Sequence, residues 1–206
     1  MSVGRKAAVI HGILPRIAEQ VRSSCDVTDG ASEETMAKWP WIDRKFSFDF
    51  PVSKFPDLLE RWRGTPARLE DRVAGLSRDV LTRRAGDGWS IQENVGHLLD
   101  LEYLPARRIE QILSGEPELI AADMTNRKTH EASHNDAKVD DLLQAFRTAR
   151  LETVVRLESL GESDWARSAL HPRLKQPMRI VDIVCFDSEH DDYHLGRIGE
   201  LIRLLT

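Results

Sequence analysis

Two cysteines among 206 residues, Cys25 and Cys185, are too few for a disulfide framework or a cysteine-rich metal motif. No apolar run approaches the roughly 20 residues that a membrane-crossing helix needs, so no membrane role is expected. Positive charge is not in excess either: 29 Lys and Arg stand against 34 Asp and Glu, a net charge of −5. That argues against a nucleic-acid-binding domain driven by phosphate neutralisation. What is present is 41% apolar and 31% charged residues, which suffices for an ordinary core. At this length the expectation is one domain with room for an extension, in a cytoplasmic globular protein.

Residues 1–35 read as an N-terminal extension. Ala7, Ile10, Ile13, Leu14, Ile17 and Val21 recur at helical spacing, Pro15 interrupts them, and 23–35 is polar and turn-rich. An accessory helix followed by a linker is expected there. Glu19 is the only acid before Asp26, a trait of transit peptides, and Met36 is an alternative start. The domain proper is placed at 36–206. Its first stretch, 39–56, carries Pro40, Pro51 and Pro56, which forbid a long helix. It reads as an aromatic arm laid over the domain and anchored by Trp39, Trp41, Phe46, Phe48 and Phe50.

Four helical segments follow, at about 57–76, 90–113, 139–160 and 179–205. Gly64-Thr65-Pro66 predicts a kink in the first. Ser90-Ile91-Gln92-Glu93 opens the second as a capping box, and Ser114-Gly115 closes it. No segment shows a period-2 strand, so the fold class is all-α, a four-helix bundle. The second helix spans about 36 Å, and the link 116–138 is long enough to return along it. The third helix then runs parallel to the second, giving up-down-down-up. The link 162–178 is expected to turn at His171-Pro172 and Gln176-Pro177.

Seven histidines are present: His11, His97, His130, His134, His171, His190 and His194. Two pairs are four residues apart, a spacing that puts both imidazoles on one helix face within reach of one ion. His130-Glu131-Ala132-Ser133-His134 matches HExxH, in which two histidines hold zinc and the glutamate is the general base. Its frame is polar, however, and no third downstream ligand has zincin spacing. A polar loop lining a site is the simpler reading, with His130, His134 and Asn135 as candidates for the rim or for proton transfer. The second pair, His190 and His194, sits mid-helix on a stripe bordered by Ile183, Phe186, Ile198 and Leu201. His97 lies about 10 Å along the second helix, and the pair about 16 to 22 Å along an antiparallel fourth. Those heights are compatible, and three imidazoles on two facing helices make an open metal site. The alternative is a set of hydrogen-bonded core histidines. Glu189, Asp191 and Asp192 are candidates to orient the imidazoles, or belong to a solvated face. Tyr193 is a core side chain or a proton donor.

The sequence resembles the DinB/YfiT-like superfamily of four-helix metalloenzymes. The resemblance rests on Trp89-Ser90-Ile91-Gln92-Glu93-Asn94-Val95-Gly96-His97-Leu98 and on Glu189-His190-Asp191-Asp192-Tyr193-His194-Leu195-Gly196-Arg197-Ile198. The His171-Pro172-Arg173 turn is similar too. The resemblance covers about 57–205 and implies metal ligation by His97, His190 and His194. It implies a divalent ion, zinc or nickel before iron or manganese, and a homodimer. Characterised relatives include thiol S-transferases using a low-molecular-weight thiol, mycothiol-dependent maleylpyruvate isomerases and iron-dependent sulfoxide synthases. Gly196 stands where the iron-dependent members carry a carboxylate, which points away from oxygenase chemistry. The expected function is that of a metal-dependent thiol S-transferase or hydrolase with a small-molecule substrate. The alternative is a stress-response protein that binds metal or a small molecule without turnover.

Overall fold

The computed structural model describes residues 40–206. The extension expected at 1–35, His11, Cys25 and the anchor Trp39 lie outside the described residues.

The first bundle helix is split into α1 (Phe55–Arg63) and α2 (Thr65–Val73) at Gly64, as the Gly-Thr-Pro sequence predicts. Pro66 falls in the first turn of α2, where a missing N–H removes no helical bond. A short α3 (Arg78–Thr82) leads to the second bundle helix, α4 (Ile91–Leu101) and α5 (Tyr103–Ser114). The capping box forms: Ser90 Oγ accepts from the Glu93 N–H at 3.0 Å, and Glu93 Oε2 accepts from the Ser90 N–H at 2.8 Å. The helix expected over 90–113 is broken at Glu102 between α4 and α5, because Pro105 cannot donate to the carbonyl four residues back. Gly115 ends α5 in the left-handed conformation, φ 79°.

The long link contains α6 (Arg127–Glu131) and a 3-10 turn at His134–Asp136. Then come the third bundle helix, α7 (Val139–Glu158), a short α8 (Glu162–Trp165) and the fourth, α9 (Ile180–Leu205). Ion pairs give the directions. Arg61 reaches Glu189 and Arg68 reaches Asp192, so the first and fourth helices run parallel. Arg150 reaches Glu102 and Arg156 reaches Glu110, so the second and third also run parallel. Arg147 meets Glu70 while Arg63 meets Glu158, so the first and third are antiparallel. The bundle is therefore up-down-down-up.

One correction concerns the link before α9. Gln176-Pro177 is not a turn but part of a two-stranded antiparallel hairpin, β1 (Ser168–His171) and β2 (Gln176–Arg179). Four residues are too few to display a period-2 pattern. Pro177 is tolerated because its partner Leu170 sends its own N–H to Pro117 O and accepts from the Leu119 N–H, both at 2.9 Å. The strand pleat turns Ala169 and His171 inward.

The core falls into two apolar clusters. One gathers Phe55, Trp62, Val154, Ile183 and Phe186, with the arm residues Trp41, Phe46, Phe48 and Phe50 packed on it. The other gathers Leu69, Ile91, Val95, Phe146 and Ile198. A buried polar belt separates them. At its centre Arg150 binds Glu102 Oε1 at 2.7 Å, Asp191 Oδ2 at 2.7 Å and Trp62 O at 2.8 Å, joining all four bundle helices. Among the described residues no helix is long and apolar enough to cross a membrane.

Candidate metal centre

His97 reaches the polar belt from the second turn of α4, and His190 and His194 reach it from the middle of α9. Antiparallel packing of these helices brings the three rings together. Their centroids stand 4.6 Å (His190 to His194), 4.7 Å (His97 to His194) and 5.4 Å (His97 to His190) apart. One ligand nitrogen from each lies within 4.8 Å of the other two. His97 is 3% and His194 5% exposed. Burial, reinforced by the neighbouring His190, pushes His97 down to about 3. Burial, with the charge of Arg150, pushes His190 down to about 3 as well. His194 is held far below its ordinary value, again by burial first. All three imidazoles are therefore neutral near pH 7 and keep a lone pair for a ligand bond.

Hydrogen bonds choose which nitrogen carries that lone pair. Thr129 Oγ1 donates to Asp100 Oδ2 at 3.0 Å, so it accepts from His97 Nδ1–H, also at 3.0 Å. Asn94 Nδ2 donates to Ser90 O at 2.7 Å, which turns Asn94 Oδ1 toward His194 Nδ1–H at 2.8 Å. Both rings thus keep Nε2 unprotonated. This is the arrangement by which outer partners fix the tautomer of ligating histidines. Aromatic rings wall the cluster: Trp89 lies 4.5 Å from His97, Trp41 meets His190 edge-on at 5.0 Å, and Tyr193 meets His194 at 5.0 Å.

A family model described as the DinB superfamily matches residues 61–198. The chain belongs to the DinB superfamily. A Bacillus licheniformis relative, named by inference as a metal-dependent hydrolase, is 26% identical over 160 residues, or 74% of this chain and 89% of its own. YfiT from Bacillus subtilis is described as a probable metal-dependent hydrolase with an unusual four-helix-bundle topology. It matches with a TM-score of 0.68 at 19% identity, over 78% of this chain and 92% of its own. A mycothiol-dependent maleylpyruvate isomerase matches with a TM-score of 0.58 at 13% identity, over 73% of this chain and 62% of its own. At these identities the structural likenesses speak for the fold.

Within this DinB fold the carboxylates of α9 do not orient the imidazoles. Asp191 is taken by Arg150, and Glu189 and Asp192 by Arg61. Asn94 and Thr129 do that work instead. Asn94 was legible in the sequence, three residues before His97 and so on the same face of one helix. Thr129 was not, because its approach depends on how the long link folds back. The HExxH segment is not one helix. α6 ends at Glu131, and Ser133 adopts a left-handed conformation, φ 51°. His130 and His134 therefore leave different faces. His130 is exposed, its ring 5.6 Å from Trp89. His134 is buried, and its Nε2 bonds Asp100 Oδ2 at 2.8 Å. Asn135 Oδ1 accepts from Ser90 Oγ at 2.8 Å.

Proposed function

We propose that this DinB-superfamily chain is a metal-dependent hydrolase acting on a small molecule, with His97, His190 and His194 holding one divalent ion. The carrying observation is the convergence of three neutral imidazoles, His97 and His194 buried and His190 partly buried, two with the second nitrogen bonded to Asn94 or Thr129. The donor set is all nitrogen, which suits zinc or nickel better than magnesium or calcium and admits iron or manganese. An ion bound there supplies Lewis acidity and brings the pKa of a coordinated water toward about 7. The chain's part is to present three lone pairs in fixed orientation, to leave the other positions to water or substrate, and to limit solvent with Trp41 and Trp89. Their rings lie 5.0 Å from His190 and 4.5 Å from His97.

A second reading, thiol S-transfer with a low-molecular-weight thiol, is favoured by one feature. Every carboxylate among Glu189, Asp191 and Asp192 is claimed by an arginine, which leaves none of them to take a proton from water. A thiol, with an ordinary pKa of about 8.5, needs no such base beside an ion.

The test is the metal content of the purified chain by mass spectrometry, with zinc, nickel, manganese and ferrous iron offered separately. About one ion per chain is expected, lost in His194→Ala and in His97→Ala while the helical circular dichroism is retained. A folded wild-type chain that takes no ion under any condition overturns the proposal. With the preferred ion in place, ester or amide hydrolysis without added thiol supports the first reading, and turnover only with thiol supports the second.

A further inference from the structure

Beside the three histidines lies a second group of buried polar atoms that the metal site does not use. His171 is 2% exposed at the inward-facing end of β1. The Leu174 N–H donates to its Nδ1 at 3.2 Å, so Nδ1 carries the lone pair and the ring proton is on Nε2. That Nε2–H is buried with no partner among the described residues. Two residues on, the Arg173 guanidinium lies 5.6 Å from the Phe186 ring. Its Nη1 reaches Ile42 O at 3.4 Å, and its Nη2 is buried with no acceptor. Arg108, also 2% exposed, directs Nε and Nη2 to the carbonyl of Ile120. Among the described residues neither arginine forms an ion pair.

These groups feel one another. Arg108 and Arg173 both act on His171, after burial, to push it down to about 3. The acid that acts on Arg108 is Asp187, whose Oδ2 is buried without a donor and which burial pushes up to about 7. The group borders the metal centre. Phe186 touches His171 at 5.5 Å and Trp41 at 5.0 Å, Trp41 touches His190 at 5.0 Å, and the charge of Arg173 is felt at His190. Unsatisfied buried donors cost about 1–3 kcal/mol each and are rarely left so. Water satisfies the donors but leaves two guanidinium groups, neither of them in an ion pair among the described residues, without a counter-charge. A carboxylate does both, and guanidinium groups bind it with two parallel bonds.

We propose that the hairpin and α5 form a carboxylate-binding subsite beside the three histidines, in which Arg173 and the His171 Nε2–H, backed by Arg108, hold a carboxylate of the substrate. The proposal rests on the metal-site reading for the word substrate alone. It names the substrate class as a small carboxylic acid whose reacting bond lies toward His190.

The experiment titrates the full chain with succinate, succinamide and inorganic phosphate by calorimetry, the metal content of each sample being measured separately. Succinate is expected to saturate the wild-type chain and to bind at least about tenfold more tightly than succinamide or phosphate. Arg173→Gln is expected to weaken succinate by at least about tenfold at unchanged metal content. Without any variant, succinate is expected to shift the His171 Nε2–H resonance of 15N-labelled protein. Equal affinity for succinate and succinamide, preference for phosphate, wild-type affinity in Arg173→Gln or an unmoved His171 signal overturns the subsite. Arg173-dependent succinate binding in a chain that takes no metal supports the subsite and removes the metal reading. Metal uptake without succinate binding does the reverse.

Discussion

His130 and His134 stand four residues apart, as do His190 and His194, yet the two pairs end in different places. The second pair lies mid-way along a 26-residue helix, and both rings face His97. The first lies where a five-residue helix ends, and Ser133 turns the chain left-handed between its members. His134 is drawn into the core by Asp100, while His130 stays exposed. Spacing is thus a statement about a helix, and it carries chemistry only where packing keeps the helix intact. α9 has that packing: Ile183, Val184, Ile198 and Leu201 are buried along it. The segment around His130 has only Thr129 buried in its helix.

The largest effect expected from disturbing this contrast is at the point that pins α9 to the other helices. Arg150→Met leaves Glu102 and Asp191 buried without their cation and should cost about 3–5 kcal/mol. Urea unfolding reads it as a lower midpoint. A loss below about 1 kcal/mol would mean that the polar belt does not fix α9.

Next comes the member of the first pair that is buried. His134→Ala removes a hydrogen bond to the buried Asp100 and opens a cavity beside Gly96, where an added Cβ would collide with the His134 ring. A cost of about 2–3 kcal/mol is expected, with metal stoichiometry kept at saturating ion. Loss of the ion in this variant would make His134 a partner in the site.

Much of this was legible in local sequence. The capping box at Ser90, the break at Gly64 and the helical His190/His194 pair each follow from spacing within a few residues. The up-down-down-up order followed from one link length. The unread parts are long-range. Arg150 looks like any charged helix residue until Glu102 and Asp191 arrive from two other helices. The hairpin depends on the 117–119 strand-like pairing with Leu170, and Thr129 on the return of the link. No local pattern encodes these meetings.

A pH series probes the second pair more gently. His190 is pushed down to about 3 in the folded chain, below the roughly 6.5 of an unfolded histidine. Its contribution to stability is complete above about pH 6.5 and is lost as pH falls toward 3, because the unfolded chain takes the proton first. Between pH 7.5 and 5.5 the metal-free protein should lose about 1 kcal/mol through this group. His190→Gln should make that part of the stability curve less steep, with His97, His194 and His171 still contributing. An unchanged slope would mean that His190 is not desolvated in the metal-free fold.

The smallest effect is expected at the exposed half of the first pair, and it decides whether the HExxH match has chemical content. In a zincin both histidines and the glutamate between them are indispensable. Here His130 and Glu131 are exposed, and their helix stops one residue short of Ala132. The ring of His130 lies 5.6 Å from that of Trp89, whose ring also lies 4.5 Å from His97. His130→Ala and Glu131→Gln should therefore leave metal content unchanged and move unfolding by less than about 0.5 kcal/mol. If either lost the ion, the first pair would belong to the site, and ligation by His97, His190 and His194 alone would fail. If both kept ion and stability but His130→Ala alone slowed turnover, His130 would be a proton carrier at the rim, reaching the site across Trp89.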